Sequence, residues 1–387
     1  MSTPPADDLI ALRRDLHAHP ELGFEEVRTA DLVAGRLRAA GLEVTEGVGR
    51  TGVVGTLRRG GGGPAILLRA DMDALAMPET ALARPWRSTV PGRMHACGHD
   101  GHTVMLIGAA ERLAQAEGLE GTVQFVFQPA EEGRGGARAM LEDGLLDRFP
   151  ADRCYGLHNM PGLEVGEMAV VEGPQLASSD RFEVVFDGTG THGAKPHLGR
   201  DPIAAVGQFL TAMHTVVARE TDPLSPAVVS ACALAAGDFD ALNVIPDRAR
   251  IGGTARAYAP EVRDATEAAL GRLAHGIAAA LGVTARIDYR RGMPPVVNAP
   301  GPTGIARSAA AAALGAGRVR QSFPPSTAGD DFAELSTRVP GCYVWLGNGP
   351  AEDGALHHNT RYDFNDAALG PGIAFWCALV RAELGAG

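Results

Sequence analysis

The segment Met94-His95-Ala96-Cys97-Gly98-His99-Asp100-Gly101-His102 puts one thiol, three imidazoles and one carboxylate into nine residues. Cys97 and His99 offer a thiolate and an imidazole within a single tight turn, a donor pair that suits zinc and related divalent ions. Glu131-Glu132 places two carboxylates side by side. One of such a pair can hold a metal while its neighbour handles a proton. Taken singly, these features mean little: a buried cysteine packs as a small hydrophobe, and paired glutamates on loops are mostly surface charge. Their weight comes from what precedes them.

The first two-fifths of the chain alternates helix and strand. Leu9, Leu12 and Leu16 recur at helical spacing behind Asp7 and Asp8, and a second helix runs from Val27 to Ala40 and stops at Gly41. Val53–Leu57 reads as a strand, and Arg58–Pro64 as a plain glycine-rich turn, since no Lys-Ser/Thr follows and no helix opens there. The apolar runs Ala65–Leu68, Val123–Phe127 and Cys154–Leu157 predict buried parallel strands, separated by helical patterns at Val104–Gln115 and Gly136–Glu142.

Ligands of open α/β sheets bind beyond the carboxyl ends of the strands. Leu68 leads to Asp71-Met72-Asp73, Phe127 to Gln128-Pro129-Ala130-Glu131-Glu132, and Leu157 to His158. The strand Cys342–Leu346 leads through a loop to His357-His358, and the Cys97 segment lies between the first two strands. Five segments thus bring Cys, His, Asp or Glu to one sheet edge, which predicts a metal centre.

Near residue 180 the pattern changes to strand (181–186), helix (202–219), two strands (227–233 and 248–258), helix (261–281) and strand (283–289). That βαββαβ order is ferredoxin-like. Gly292-Met293-Pro294-Pro295 marks the return to α/β character, with a closing helix near 371–384. The expected fold is α/β: a doubly wound mixed-sheet catalytic domain (1–180 and 293–387) with an inserted ferredoxin-like α+β lid or dimerisation domain (181–292).

Bulk properties narrow the class. With 35 basic residues against 46 acidic ones the net charge is −11, which disfavours a nucleic-acid-binding surface. No stretch approaches the ~20 apolar residues of a membrane span, and MSTPPADD does not read as a secretory signal. Five scattered cysteines suit a reducing cytoplasm rather than a disulfide framework.

At these residues the chain resembles the metal-dependent amidohydrolases that include hippurate hydrolase, N-acyl-amino-acid amidohydrolases and auxin-conjugate hydrolases, within the aminoacylase and carboxypeptidase G superfamily. The resemblance rests on RRDLHAHPELGFEE (13–26), RADMDAL (69–75), GRMHACGHDGHT (92–103), QPAEEG (128–133), LHNMPG (157–162), GTGTHGAKPHLGRDPI (188–203), NVIPD (243–247), GGTAR (252–256), DDFAEL (330–335) and LHHNTRYDFND (356–366). It implies two divalent ions per subunit, zinc first with manganese, cobalt or nickel as alternatives. Their ligands would be Cys97, His99, Glu132, His158 and His357, with Cys97 bridging. By alignment His357 is preferred over His358 as the last ligand.

Glu131 is the implied general base for a metal-activated water that cuts the amide of an N-acyl amino acid. In a homodimer, His192 would reach the partner's site to steady the oxyanion, and Asn243 and Arg256 would grip the substrate carboxylate. Asp73 and His102 would support a ligand imidazole from behind, whereas His17 and His19 read as structural. Asp71-x-Asp73 stands where the wider superfamily carries His-x-Asp, Ala76 where proline is usual, and Asp330 where glutamate is usual. The competing expectations are a dipeptidase, carboxypeptidase or diaminopimelate-type deacetylase of the same build, or a metal-holding protein that has lost catalysis.

Overall fold

The computed structural model describes residues 7–351 and 354–385. The chain divides into two compact units. The first comprises Met1–Gly173, Val297–Pro324 and Asp330–Gly387; the second comprises Pro174–Val296 and Pro325–Gly329.

The first unit is built on an eight-stranded mixed sheet. In spatial order its strands are Glu43–Val48, Gly52–Arg59, Gly121–Gln128, Ala65–Asp71, Arg153–Met160, Gly341–Gly347, Met168–Ala169 and Val319–Arg320. Ala65–Asp71 runs parallel to both its neighbours, and Gly341–Gly347 runs parallel to Arg153–Met160. Four central strands therefore end at one edge. Because side chains alternate along a strand, the two faces can be read separately. Ile66, Leu68 and Ala70 join Val123, Phe125 and Phe127 in the main core, which helices Asp7–Ala18, Val27–Ala39, His99–Ala114, Pro300–Leu314 and Leu369–Leu384 cover. On the opposite face the ring of Phe332, from the helix Phe332–Ser336, lies 5.5 Å from that of Tyr343. Leu369–Leu384 is largely apolar up to its last turn because it is a core helix: Leu369, Ile373, Phe375, Trp376, Leu379 and Val380 are all buried.

The second unit carries a four-stranded antiparallel sheet in the order Ala227–Ala236, Arg248–Ala257, Asp180–Asp187, Thr284–Arg291. Counted along the chain from the other end, that is fourth, first, third, second, the ferredoxin-like arrangement. Phe182, Val184 and Phe186 alternate inward against Phe209 and Leu270 from helices Pro202–Ala212 and Pro260–Leu281. Asp201 caps the first of these helices, its carboxylate accepting from Ile203 N at 2.8 Å.

This unit is wider than the 181–292 read from the pattern change. It also takes in 325–329, where Ser326 N donates to Gln175 O at 2.9 Å. Backbone pairing of so short a return leaves no periodicity to read.

Candidate metal centre

The parallel strands deliver the candidate residues to one place. Ala65–Asp71 ends in Asp71, with Asp73 two residues on. Gly121–Gln128 runs into Pro129-Ala130-Glu131-Glu132, and Arg153–Met160 contributes His158 and Asn159 from within the strand. His99 opens its helix, and Gly98 precedes it with φ 94°. A side chain at Gly98 would meet the Asn159 amide and the Tyr362 hydroxyl, so this tight turn requires glycine twice over.

Hydrogen bonds fix which imidazole nitrogen faces the centre. His99 Nδ1 donates to Asp73 O at 2.9 Å, leaving Nε2 buried with no hydrogen-bond partner. His158 Nδ1 donates to Asn159 O at 2.7 Å, leaving Nε2 3.4 Å from Cys97 Sγ. Both rings therefore carry a proton on Nδ1 and turn Nε2 toward the centre, the usual orientation of a metal-ligating histidine. His102 is different. Its Nε2 accepts from Asn159 N at 3.0 Å and its Nδ1 donates to Asp71 Oδ1 at 2.6 Å, so both nitrogens are occupied. It supports the neighbouring groups and has no free lone pair for an ion.

Among the described residues, five sets of ligand atoms gather within 4.8 Å: Cys97 with His99 and His158, Cys97 with Glu132 and His358, His99 with Glu131 and Glu132, Asp71 with His99 and His102, and Glu131 with Asp330 and Asp331. Cys97 is common to the first two, as a bridging thiolate would be.

The sequence assigned the last ligand to His357; the structure brings His358 there instead. His358 sits at φ 62°, and its amide donates to Ala96 O at 2.8 Å, pinning it beside Cys97. Its Nε2 lies 3.2 Å from Glu132 Oε1. His357 Nε2 instead lies 3.1 Å from Asn159 Oδ1, and its ring stacks edge-on against His158 at 4.9 Å. Burial, then the charges of His102 and His358, push His357 down to about 3. The Cys97 thiol and the Glu132 carboxylate hold His358 up at about 10.

Glu131 is 7% exposed. Burial, then the negative charges of Asp330, Glu132 and Asp331, push its carboxyl well above the usual range. A carboxyl so placed can take up a proton and return it. Asp330 and Asp331 are themselves held by Arg69, whose guanidinium is buried and lies 3.0 Å from Asp330, 3.1 Å from Asp331 and 2.6 Å from Asp71.

The donor set fits divalent cations. His99 Nε2 and Asp73 Oδ1 are buried without hydrogen-bond partners, which a polar interior rarely tolerates. Burial and the Glu132 charge push the Cys97 thiol up, a tendency that a bound cation reverses by ligating the thiolate.

Asn159 is a support that the sequence did not single out. Its amide nitrogen donates to Cys97 O at 2.6 Å, and its carbonyl accepts from Tyr362 Oη at 2.6 Å. Behind the Cys97–Asp100 turn, Arg13 and His17 grip Asp100 at 3.5 and 2.8 Å. His17 is thus structural in the sense expected, and His19 turns outward with Nδ1 on Asp15 O.

The remaining candidates lie in the second unit. His192 is exposed on the short strand Thr191–His192, paired with Val244–Ile245, and Gly193 N donates to Asn243 O at 2.6 Å. Arg256 lies on the strand Arg248–Ala257, opposite Val228.

This mixed-sheet unit with its cysteine, histidine and carboxylate cluster is the architecture of a metal-dependent hydrolase. Residues 67–382 match peptidase family M20/M25/M40, and the chain belongs to that family. It is similar to N-acetylcysteine deacetylase of Bacillus subtilis, at 42% identity over 93% of each chain. It is also similar to hippurate hydrolase of Campylobacter jejuni, at 39% identity over 96% of each. Among solved structures, the YXEP protein of Bacillus subtilis, described as a dinuclear metal-binding peptidase of the M20 family, superposes with a TM-score of 0.85. That similarity is at 38% identity over 97% of each chain. The chain is a metal-dependent amidohydrolase.

Proposed function

We propose that this enzyme hydrolyses the amide bond of N-acyl amino acids, of the hippurate or N-acetyl-amino-acid kind, with Glu131 as general base. The observation that carries the reading is the position of Glu131: a nearly buried carboxyl grouped with His99 and Glu132, in a cluster whose thiol is common to two ligand sets.

Cys97, His99, Glu132 and His158 would hold the metal pair, with His358 taking the place first given to His357. A thiolate–imidazole–carboxylate set suits zinc and also accepts manganese, cobalt or nickel. When bound, such ions supply Lewis acidity that polarises the amide carbonyl and lowers the pKa of water. Glu131 takes the proton of the attacking water and passes it to the leaving amine. Asp73 orients His99 through its carbonyl, and His102 braces the Asp71–Asn159 side of the site.

His192 is assigned to the developing oxyanion. Its Nδ1 accepts from Ala194 N at 3.0 Å, so its proton sits on Nε2, available for donation. In a homodimer it serves the partner's site, and Asn243 and Arg256 take the substrate carboxylate, for which a guanidinium is suited by its bidentate geometry. Buried free cysteines at 97, 154, 342 and 377 accord with a cytoplasmic setting.

The test is a panel of hippurate, N-acetyl amino acids and dipeptides on metal-reconstituted protein. The reading expects kcat/KM for the N-acyl compounds to exceed that for dipeptides by about 100-fold or more. A preference for dipeptides contradicts it.

A further inference from the structure

Glu26 is the residue before the helix Val27–Ala39, yet its side chain makes no capping bond to that helix. It is fully buried, and both carboxylate oxygens are used elsewhere. Oε1 accepts from Ala130 N at 2.8 Å, and Oε2 accepts from Thr51 Oγ1 at 2.6 Å. A buried carboxylate spent on a distant loop, rather than on its own helix terminus, calls for an explanation.

Ala130 supplies it. This alanine holds φ at 55°, a left-handed conformation that a residue with a Cβ adopts at a cost. It immediately precedes Glu131. The turn it makes is closed by Gly136 N donating to Ala130 O at 3.0 Å, so both backbone polar groups of Ala130 are committed. The segment leading to Glu26 packs on the same turn. A Cβ at Gly23 would come within 2.9 Å of Ala130, and Arg134 Nη1 donates to Gly23 O at 3.0 Å. The same segment reaches the loop bearing Asp73, where Ala74 N donates to Glu21 O at 2.8 Å.

We infer that Glu26 is a positioning residue for the reaction: its carboxylate holds Ala130 in the left-handed conformation that aims Glu131 at the substrate. The inference rests on the reading of Glu131 as general base. Glu26 itself touches neither substrate nor ion. It acts by fixing the direction in which the chain leaves Ala130, and small misplacements of a catalytic group are expensive in rate.

The test compares Glu26→Leu, Glu26→Asp, Glu26→Gln and the double variant Glu26→Leu/Ala130→Gly in the metal-loaded enzyme. Turnover, KM, bound-metal count and thermal midpoint are read for each. Leucine removes the acceptor, and aspartate, one methylene shorter, cannot span both partners; aspartate stands in if the leucine variant does not fold.

Both are expected to lower kcat by about 10- to 100-fold while KM and metal count stay within about twofold. Gln, which keeps an acceptor for Ala130 N, recovers most of the loss. Glycine at 130, which adopts positive φ without strain, recovers part of it in the leucine background. Turnover within about threefold of wild type in the leucine and aspartate variants, alongside an inactive Glu131→Gln, overturns the inference alone. So does a fall in kcat that tracks lost metal and a lower midpoint and that Gln does not restore. An active Glu131→Gln overturns the general-base reading instead.

Discussion

His358 Nε2 lies 3.2 Å from Glu132 Oε1, and both atoms fall with Cys97 Sγ in one set no more than 4.8 Å across. His357, its neighbour in sequence, spends its Nε2 on Asn159. The two histidines therefore have separable jobs. On the proposed assignment His358→Ala deletes a ligand and is expected to lower affinity for one ion by more than about 100-fold. His357→Ala is expected to cost about 10-fold, the size of a supporting contact. Metal content after dialysis against a graded chelator distinguishes them; equal losses, or a larger loss from His357→Ala, contradict the assignment.

Arg69 neutralises Asp71, Asp330 and Asp331 at a site where its side chain has no exposure. Replacing it by methionine keeps volume but leaves three buried carboxylates short of a cation. Losing one partner of a buried ionic group costs about 3–5 kcal/mol, so Arg69→Met is expected to lower the urea midpoint strongly. A midpoint close to wild type would show that the carboxylates are satisfied without it.

Stability should fall at alkaline pH because of His17. Burial opposes charge on this ring, but the hydrogen bond to Asp100 and the nearby Glu79 carboxylate, 3.5 Å from Nε2, outweigh it and raise it to about 9 from 6.5. A raised folded value means that the stabilisation is complete below pH 6.5 and fades as the pH rises through about 9. Its full size is about 3 kcal/mol. In metal-free protein, the unfolding free energy of wild type should drop between about pH 6 and pH 9.5 by more than that of His17→Gln. Parallel drops in the two proteins contradict this origin.

Much of the fold was legible because its central strands are buried on both faces and read as continuous apolar runs. Ala65–Asp71, Gly121–Gln128 and Arg153–Met160 each contain the run that marked them. The edge strand Glu43–Val48 was not marked. It is half exposed, reads Glu-Val-Thr-Glu-Gly-Val, and its register shifts between Glu46 and Val48. The helix Pro300–Leu314 was missed as well, since a nearly unbroken small-residue run shows little amphipathic contrast.

At the centre, residues with intrinsic chemistry stood out: Cys97, His99, Glu131, Glu132 and His158. Those that act by geometry did not. Asn159 and Glu26 matter for which backbone groups they meet, and that depends on strands and loops far apart in the chain. That His358 rather than His357 gathers with Cys97 and Glu132 follows from a backbone turn at positive φ and its bond to Ala96, neither of which spacing encodes.

The central claim is that one cluster around Cys97 holds two cations beside Glu131. Anomalous diffraction from crystals loaded with zinc or manganese tests it directly. The account predicts two peaks about 3.5–4 Å apart, both within bonding distance of Cys97 Sγ, about 2.3 Å for zinc. His99, His158, Glu132 and His358 should complete their coordination. A single peak, or peaks that leave Cys97 unligated, would contradict it.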